Sequence, residues 1–143
     1  MKRGLLTIVL ILVAMLSVSS SKKVPFDYNG TWVVGTMVDA EIAGDMYFYV
    51  KLKQDGEKLT GTYYSISPKM ARRDCNSGNK VEGMVHKNIG TVEFRSAEWG
   101  GGGTAVLRPV DKNTIAWHIT SEVKTGNADF GHWCPNRVKL QRK

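Results

Sequence analysis

The sequence predicts an all-β fold, an antiparallel eight-stranded meander barrel, with a two-sheet β-sandwich as the structural alternative. Apolar and polar residues alternate with a period of two through nearly every segment after Gly30. Turn residues separate these segments at short intervals, and no long segment has the i, i+3, i+4 spacing of a substantial helix. Closure favours the barrel, because it removes the exposed edges of an open sheet.

The beginning of the chain has the layout of a cleaved signal peptide. Lys2 and Arg3 precede a mostly apolar run that ends in small residues. A spanning helix needs roughly 20 apolar residues, and this run is shorter, so cleavage is favoured over an uncleaved membrane anchor. We therefore predict a leader over residues 1–20 and a single domain over residues 21–143. The mature protein is then periplasmic or secreted, without a stable membrane span.

The second predicted strand shows the alternation most clearly. Phe48, Val50 and Leu52 share one face, while tyrosines and lysines occupy the other, as in a strand with one wet side. An Asp-Gly turn then reverses the chain into a partner strand. The predicted strands cover residues 30–39, 45–54, 58–66, 80–86, 89–97, 104–110, 114–123 and 133–141. The residues predicted to face inward are Val34, Phe48, Val50, Leu59, Tyr63, Val92, Phe94, Leu107 and Trp117.

The chain contains two cysteines, Cys75 and Cys134. Since export leads to an oxidising compartment, we predict a disulfide between them, with two free thiols as the alternative. Closing a loop of about 60 residues would stabilise the fold by roughly 4 kcal/mol. The bridge would connect a loop in the middle of the chain to the last strand.

The charge balance is basic. The full chain has a formal net charge of +7, to which Lys2 and Arg3 of the leader contribute. The remaining excess favours acidic surfaces, which outside the cytoplasm are anionic envelope polymers, lipid head groups or an acidic protein. Predicted export makes nucleic acid an unsuitable partner.

Three features resemble the pattern of lipocalin-like and avidin-like barrels: Gly30-Thr31-Trp32 at the start of the first strand, a meander after it, and a basic residue near the chain end. The resemblance implies a fold, not a function. It implies that Trp32 closes one end of the barrel and that an arginine of the last strand packs over its indole ring. A guanidinium in that place makes a cation–π contact and caps nearby carbonyls.

Two arginines near the chain end are candidates for this contact, Arg137 and Arg142. Arg142 shares strand parity with Val138 and Leu140. Since those apolar residues should face inward, we predict that Arg142 is the one over Trp32.

No catalytic constellation is present, so we predict that the protein is not an enzyme and uses no cofactor. The sequence has no Gly-x-Ser-x-Gly elbow, no His-Glu-x-x-His motif and no dinucleotide fingerprint. The glycine-rich stretch 99–106 leads into a strand, whereas a phosphate loop leads into a helix. His86, His118 and His132 lie far apart in the sequence without ligand spacing, so no metal site is expected.

Predicted loops carry aromatic residues, methionine and arginine, which are enriched in protein interfaces. We predict a partner-binding surface there. The alternative is that the aromatic residues cover a barrel end and the arginines are merely solvated. The predicted contact residues are Met70, Arg72, Arg73, Trp99, Phe130, His132 and Trp133.

These patterns predict an exported, non-catalytic binding protein. The first hypothesis is an inhibitor or immunity protein that neutralises a secreted or cell-wall-directed enzyme or toxin. The alternative is a lipocalin-like carrier of a small apolar ligand. The carrier needs a cavity, whereas the predicted inward residues are bulky enough to fill an eight-stranded barrel. The protein partner is therefore favoured.

Overall fold

The computed structural model describes residues 25–123 and 131–143, which form a closed antiparallel β-barrel. The predicted leader, residues 1–20, lies outside the described part of the chain. Among the described residues, Pro68–Met70 form a 3₁₀ turn. The elements in chain order are β1 Gly30–Val34, α1 Met37–Ala43, β2 Tyr47–Asp55, β3 Lys58–Ile66, β4 Arg73–Asp74, β5 Lys80–His86, β6 Ile89–Arg95, β7 Gly102–Asp111, β8 Thr114–Val123 and β9 Arg137–Arg142.

The barrel closes where β1 meets the end of the chain. β1 pairs antiparallel with β2 on one side and with β9 on the other, where Trp32 lies opposite Arg142. The remaining strands pair in sequence order, except that β5 follows β3 directly and β4 pairs beside β3. Eight strands therefore form the ring and β4 is an addition to it. The predicted eight-stranded barrel is confirmed, and the sandwich alternative is wrong.

The first strand is shorter than predicted. It ends at Val34 instead of residue 39, and a short helix follows. Thr36 begins that helix as its N-cap: its hydroxyl accepts a hydrogen bond from the Asp39 backbone N–H at 3.0 Å. Gly44 ends it in the left-handed conformation. The local capping signals thus interrupt the strand periodicity.

The last predicted strand is also shorter at its start, because β9 begins at Arg137 and Trp133 lies in the segment before it. The two-residue strand β4 lies in a segment that the sequence analysis treated as a loop.

The interior is filled by side chains. All nine residues predicted to face inward belong to the core or pack against it, with Val34 partly buried. Trp32, Trp117, Phe48 and Leu59 are fully buried. Aromatic contacts cross the interior, with ring centroids of Phe94 and Trp117 at 5.5 Å. Alternation along each strand delivers these side chains inward, and their volume occupies the space inside the ring.

The two ends of the barrel differ in construction. At one end, here named the closed end, the hairpins β2–β3, β5–β6 and β7–β8 each turn within two residues. At the other, the loop end, longer connections join β1 to β2, β3 to β5, β6 to β7 and β8 to β9. Every described residue of the predicted contact set belongs to a loop-end connection.

The closed end has the geometry that the resemblance implies. The Arg142 guanidinium carbon lies 4.2 Å from the Trp32 ring centroid. Arg142 also donates to the backbone carbonyls of Asn29, Asp27 and Lys112. One guanidinium therefore stacks on the indole ring and satisfies the acceptors around it.

Candidate functional site

The loop end brings together five of the predicted contact residues, here named the loop-end cluster: Met70, Arg72, Arg73, Trp99 and Trp133. The Arg72 guanidinium carbon lies 4.7 Å from the Trp133 ring centroid. The rings of Trp99 and Trp133 meet edge to face, with centroids 6.2 Å apart. Trp99 Nε1 donates to the Arg73 carbonyl at 2.9 Å. The guanidinium of Arg73 donates to the Met70 sulfur at 3.9 Å. Three separate connections thus build one surface.

A buried carboxyl group holds this surface in place from below. Asp74 is fully buried and accepts hydrogen bonds from the Tyr63 hydroxyl at 2.7 Å, the Ser96 hydroxyl at 2.8 Å and the Asn79 side-chain amide at 3.0 Å. The Ser96 hydroxyl in turn accepts from the Trp99 backbone N–H at 3.0 Å. Because a buried polar group is costly unless it is paired, this network fixes the positions of the connections that carry the cluster.

The segment before β9 crosses the mouth of the barrel. The Trp133 carbonyl accepts from the Ser65 hydroxyl at 2.6 Å, and the Pro135 carbonyl accepts from Trp117 Nε1 at 2.9 Å. Cys134, between them in the sequence, is part of the core. The mouth is therefore occupied by the protein's own chain. Within the described residues, the buried Trp133 Nε1 has no hydrogen-bond partner.

The backbone is strained beside the cluster. Lys69 and Met70 both have positive φ, at 60° and 49°, which L-residues other than glycine seldom adopt. The Lys69 N–H donates to the Gly44 carbonyl at 2.7 Å, which joins this turn to the end of α1. Lys87 and Asn88, in the β5–β6 turn at the closed end, also have positive φ, so this geometry is not particular to the cluster.

Helix α1 adds apolar surface to the same end. Val38 and Ile42, one helical turn apart, are 60% and 82% exposed. The helix packs against the 3₁₀ turn that ends at Met70. The sequence analysis did not include these two residues, because it placed the first of them in a strand. The Thr36-x-x-Asp39 capping pattern was the signal that could have revealed the helix.

The other two predicted contact residues do not join the cluster. Phe130 lies outside the described residues. The side chain of His132 is only 8% exposed and its ring packs edge to face on Phe94 at 4.8 Å. His132 Nδ1 accepts from the Cys134 backbone N–H, so the proton of the neutral ring lies on Nε2, 3.1 Å from Glu122. His132 thus packs inward below the surface.

The predicted disulfide is wrong in this structure, because Cys75 and Cys134 are both free thiols. Successive residues of β3 point to opposite sides of the barrel wall. Cys134 lies inside, against Tyr63, whereas Cys75 lies outside, where it interacts with Tyr64. The two thiols thus contact neighbouring residues of β3 that face opposite sides of the wall.

Burial also determines the protonation of groups at the loop end. It raises the pKa of the Cys134 thiol well above its usual value and raises that of Cys75 as well. Both thiols are therefore protonated at neutral pH, a state that is a poor nucleophile. Burial likewise raises the pKa of Tyr63 beyond its usual range, so that its hydroxyl remains a donor to Asp74.

Two other classes of feature are a metal site and a membrane-spanning helix. Residues 25–123 and 131–143 contain no group of three His, Cys, Asp or Glu side chains arranged to hold a metal ion. No helix in these ranges is long and apolar enough to cross a membrane.

Comparison with protein-family models, with curated proteins and with solved structures gave no match.

The sequence analysis missed the residues that support the cluster. Asp74, Asn79 and Ser96 are separated along the chain and meet only when β3, β4 and the β6–β7 connection are assembled. No spacing in the sequence marks them, although Asp74 is the one acidic residue in an otherwise basic stretch at 68–74.

Proposed function

We propose that this protein is an exported, non-catalytic binding protein whose loop-end cluster contacts a protein partner. The single observation that carries the proposal is the preassembled surface of Arg72, Trp99 and Trp133. Tryptophan and arginine are the residue types that most often dominate the energy of protein interfaces.

Preorganisation supports a binding role for this surface. The Asp74 network fixes the backbone at Trp99, and the Ser65 hydroxyl fixes the backbone at Trp133. A surface that is already ordered loses less conformational entropy when a partner docks.

The chemistry of the surface indicates the kind of partner. Lys69, Arg72 and Arg73 are exposed cations, and Val38 and Ile42 add apolar area on α1. We infer a partner that presents acidic groups around an apolar centre, since complementary potentials steer association and select partners. An inhibitor or immunity protein that blocks a secreted or cell-wall-directed enzyme or toxin fits this arrangement and the leader-like start of the chain.

A carrier of a small apolar ligand is supported less well. The inward positions are occupied by large side chains, among them Trp32, Phe48 and Trp117. The segment that contains Cys134 crosses the mouth. A ligand would therefore have to displace packed core residues, which resemble an organic crystal more than a liquid.

The experiment is a comparative capture from the host's own envelope or medium. The bait is the mature protein as wild type, as the triple variant Arg72→Ala/Arg73→Ala/Trp99→Ala, and as the control Lys53→Ala/Arg108→Ala. The control removes two exposed cations away from the cluster. We expect the wild type and the control to retain a stoichiometric partner. The triple variant should lose that partner.

The partner so defined is then purified and its affinity for each variant is measured. We expect the triple variant to bind at least about 100-fold more weakly, the loss typical of removing interface hot spots. Equal affinity of wild type and triple variant, with both folded by circular dichroism, would overturn the proposed surface.

A further inference from the structure

A second surface lies on the outer wall of the barrel, next to the loop-end connection that carries Trp99. It is formed by four exposed residues of β5 and β6, here named the charge square: Lys80, Glu82, Glu93 and Arg95. The cross-strand register places Lys80 opposite Arg95 and Glu82 opposite Glu93. One row of the square is therefore doubly positive and the adjacent row is doubly negative.

This arrangement is unfavourable within one molecule. Directly opposite residues of an antiparallel pair have Cβ atoms about 5 Å apart, and like charges there are destabilising. Opposite charges in the square are neighbours along a strand and on the diagonals, about 7–8 Å apart. The structure contains no ion pair for any of the four side chains within the described residues. The register thus places like charges closest together and leaves opposite charges unpaired.

A second copy of the chain satisfies all four charges at once. A two-fold axis that lies in the contact plane and crosses the strands between the two rows brings Lys80 against Glu82 of the second copy and Arg95 against Glu93 of the second copy. The same axis generates the two reciprocal pairs, which is the self-complementarity that an isologous contact requires. A partner with charges of a single sign would satisfy one row and repel the other.

The strands beside the square permit close approach. Gly102 and Thr104 on β7 flank one side, and Thr60 and Thr62 on β3 flank the other. A groove of about 270 Å³ lies over Gly102 and Gly103, bordered by Arg95 and Val123. All four residues of the charge square line this groove, and Met84 and Val123, each 54% exposed, add apolar area at its margin.

We propose that the charge square is the contact of a homodimer held by four reciprocal ion pairs. The dimer is weak and sensitive to salt, because the ion pairs lie on a solvated surface. The inference does not depend on the proposed function.

The test is sedimentation velocity of the mature protein over a range of concentrations, with a reductant present so that the Cys75 thiol cannot link copies. At about 0.01 M salt, where the Debye length is roughly 30 Å, we expect a monomer–dimer equilibrium. At about 1 M salt, where it is roughly 3 Å, we expect monomer. Wild type that remains monomeric at low salt and at the highest soluble concentration overturns the proposal.

Charge reversal locates the contact. Lys80→Glu/Arg95→Glu makes the square wholly acidic and Glu82→Lys/Glu93→Lys makes it wholly basic, so each variant alone should lose dimerisation by at least about 100-fold. An equimolar mixture should form a dimer with one copy of each. Dimerisation of either variant alone, or no dimer in the mixture, contradicts the reciprocal pairing.

Two further variants separate a local effect from net charge and from unfolding. Lys51→Glu/Lys53→Glu on β2 makes the same change in net charge as the acidic variant but leaves the square intact, and it should dimerise like the wild type. Glu82→Gln/Glu93→Gln removes the acidic row and its like-charge repulsion, and it should be monomeric while its melting temperature is not lowered. The opposite result for either variant contradicts the proposal.

Discussion

The closed end and the loop end solve the same problem, that of covering the end of a β-barrel, with different chemistry. At the closed end, Trp32 fills the opening and Arg142 covers the ring and caps three carbonyls. At the loop end, a chain segment crosses the mouth over a buried carboxyl group, Asp74, that is held by neutral donors. The first arrangement is apolar and compact, and the second is a polar network beneath exposed arginine and tryptophan.

The difference indicates how the molecule divides stability and function. The closed end has two-residue turns and its polar groups are paired. Each end has two non-glycine residues with positive φ, Lys87 and Asn88 at the closed end and Lys69 and Met70 at the loop end. The loop end differs in its longer connections and in a buried indole N–H without a described partner. Proteins depart from local rules mainly where function requires it. The closed end therefore serves the fold, and the loop end is the place where binding is expected.

The largest difference in stability between the two ends should come from replacing one tryptophan at each end, Trp32 and Trp99. Trp32→Ala removes a fully buried side chain and should lower the free energy of unfolding by about 3–5 kcal/mol. Trp99→Ala at the loop end removes a partly exposed ring and should cost about 1 kcal/mol. Urea unfolding at neutral pH measures both. Equal losses for the two variants would remove the distinction between the ends.

The next effect concerns the polar network. Asp74→Ala leaves the donors of Tyr63, Asn79 and Ser96 without their acceptor and should cost about 3 kcal/mol. Asp45→Ala, an exposed carboxylate of the same type, should change stability by less than about 0.5 kcal/mol. Asp74→Ala should also make hydrogen exchange at the Trp99 backbone amide faster. Unchanged exchange at Trp99 would mean that the network does not hold the cluster.

Strand β9 offers a matched pair of arginines, one at each end. Arg142→Ala removes the cation–π contact and three donors to carbonyls, and it should cost about 2 kcal/mol. Arg137→Ala, in the same strand but with its guanidinium beside His118, should cost less than about 0.5 kcal/mol. Chemical denaturation compares the two variants. If Arg137→Ala cost as much as Arg142→Ala, the assignment of the cap would be wrong.

The smallest effect is a pH dependence shared by the two ends. Burial raises the pKa of Tyr28 at the closed end to about 12, and it raises the pKa of Tyr63 at the loop end still further. A raised pKa gives stability that is complete below the unfolded pKa of about 10 and is lost as the pH rises through the folded value. We expect the urea concentration at the midpoint of unfolding to fall as the pH rises from about 10 to about 12.

Tyr63→Phe separates the contributions of the two tyrosines. It should cost about 1 kcal/mol at neutral pH, since Asp74 loses one donor, and it should make the alkaline decline less steep. A decline that is identical in wild type and Tyr63→Phe would mean that the Tyr63 hydroxyl is not buried.

The sequence predicts the closed end better than the loop end for a physical reason. Strand parity alone selected Arg142, because alternation is a local property that persists along β9. The helix after β1 could have been predicted from its cap, since Thr36-x-x-Asp39 is also local. The Asp74 network is not local: its members meet only after the strands have paired.

The cysteine prediction failed for a related reason. Compartment and cysteine count favour a disulfide, but the side of the wall on which each thiol lies depends on the register of β4 against β3. That register places Asp74 inside and Cys75 outside. A two-residue strand has too little periodicity for the sequence to determine which of its residues faces inward.

The most direct test of the account is native mass spectrometry of the mature protein recovered gently from its own host at natural abundance. The account predicts a barrel of the mass of the polypeptide alone, in stoichiometric complex with a protein partner. That complex should be absent when Arg72, Arg73 and Trp99 are replaced together. A polypeptide that carries an excess mass of small-molecule size, and no protein partner, would contradict the account and make the filled barrel a carrier.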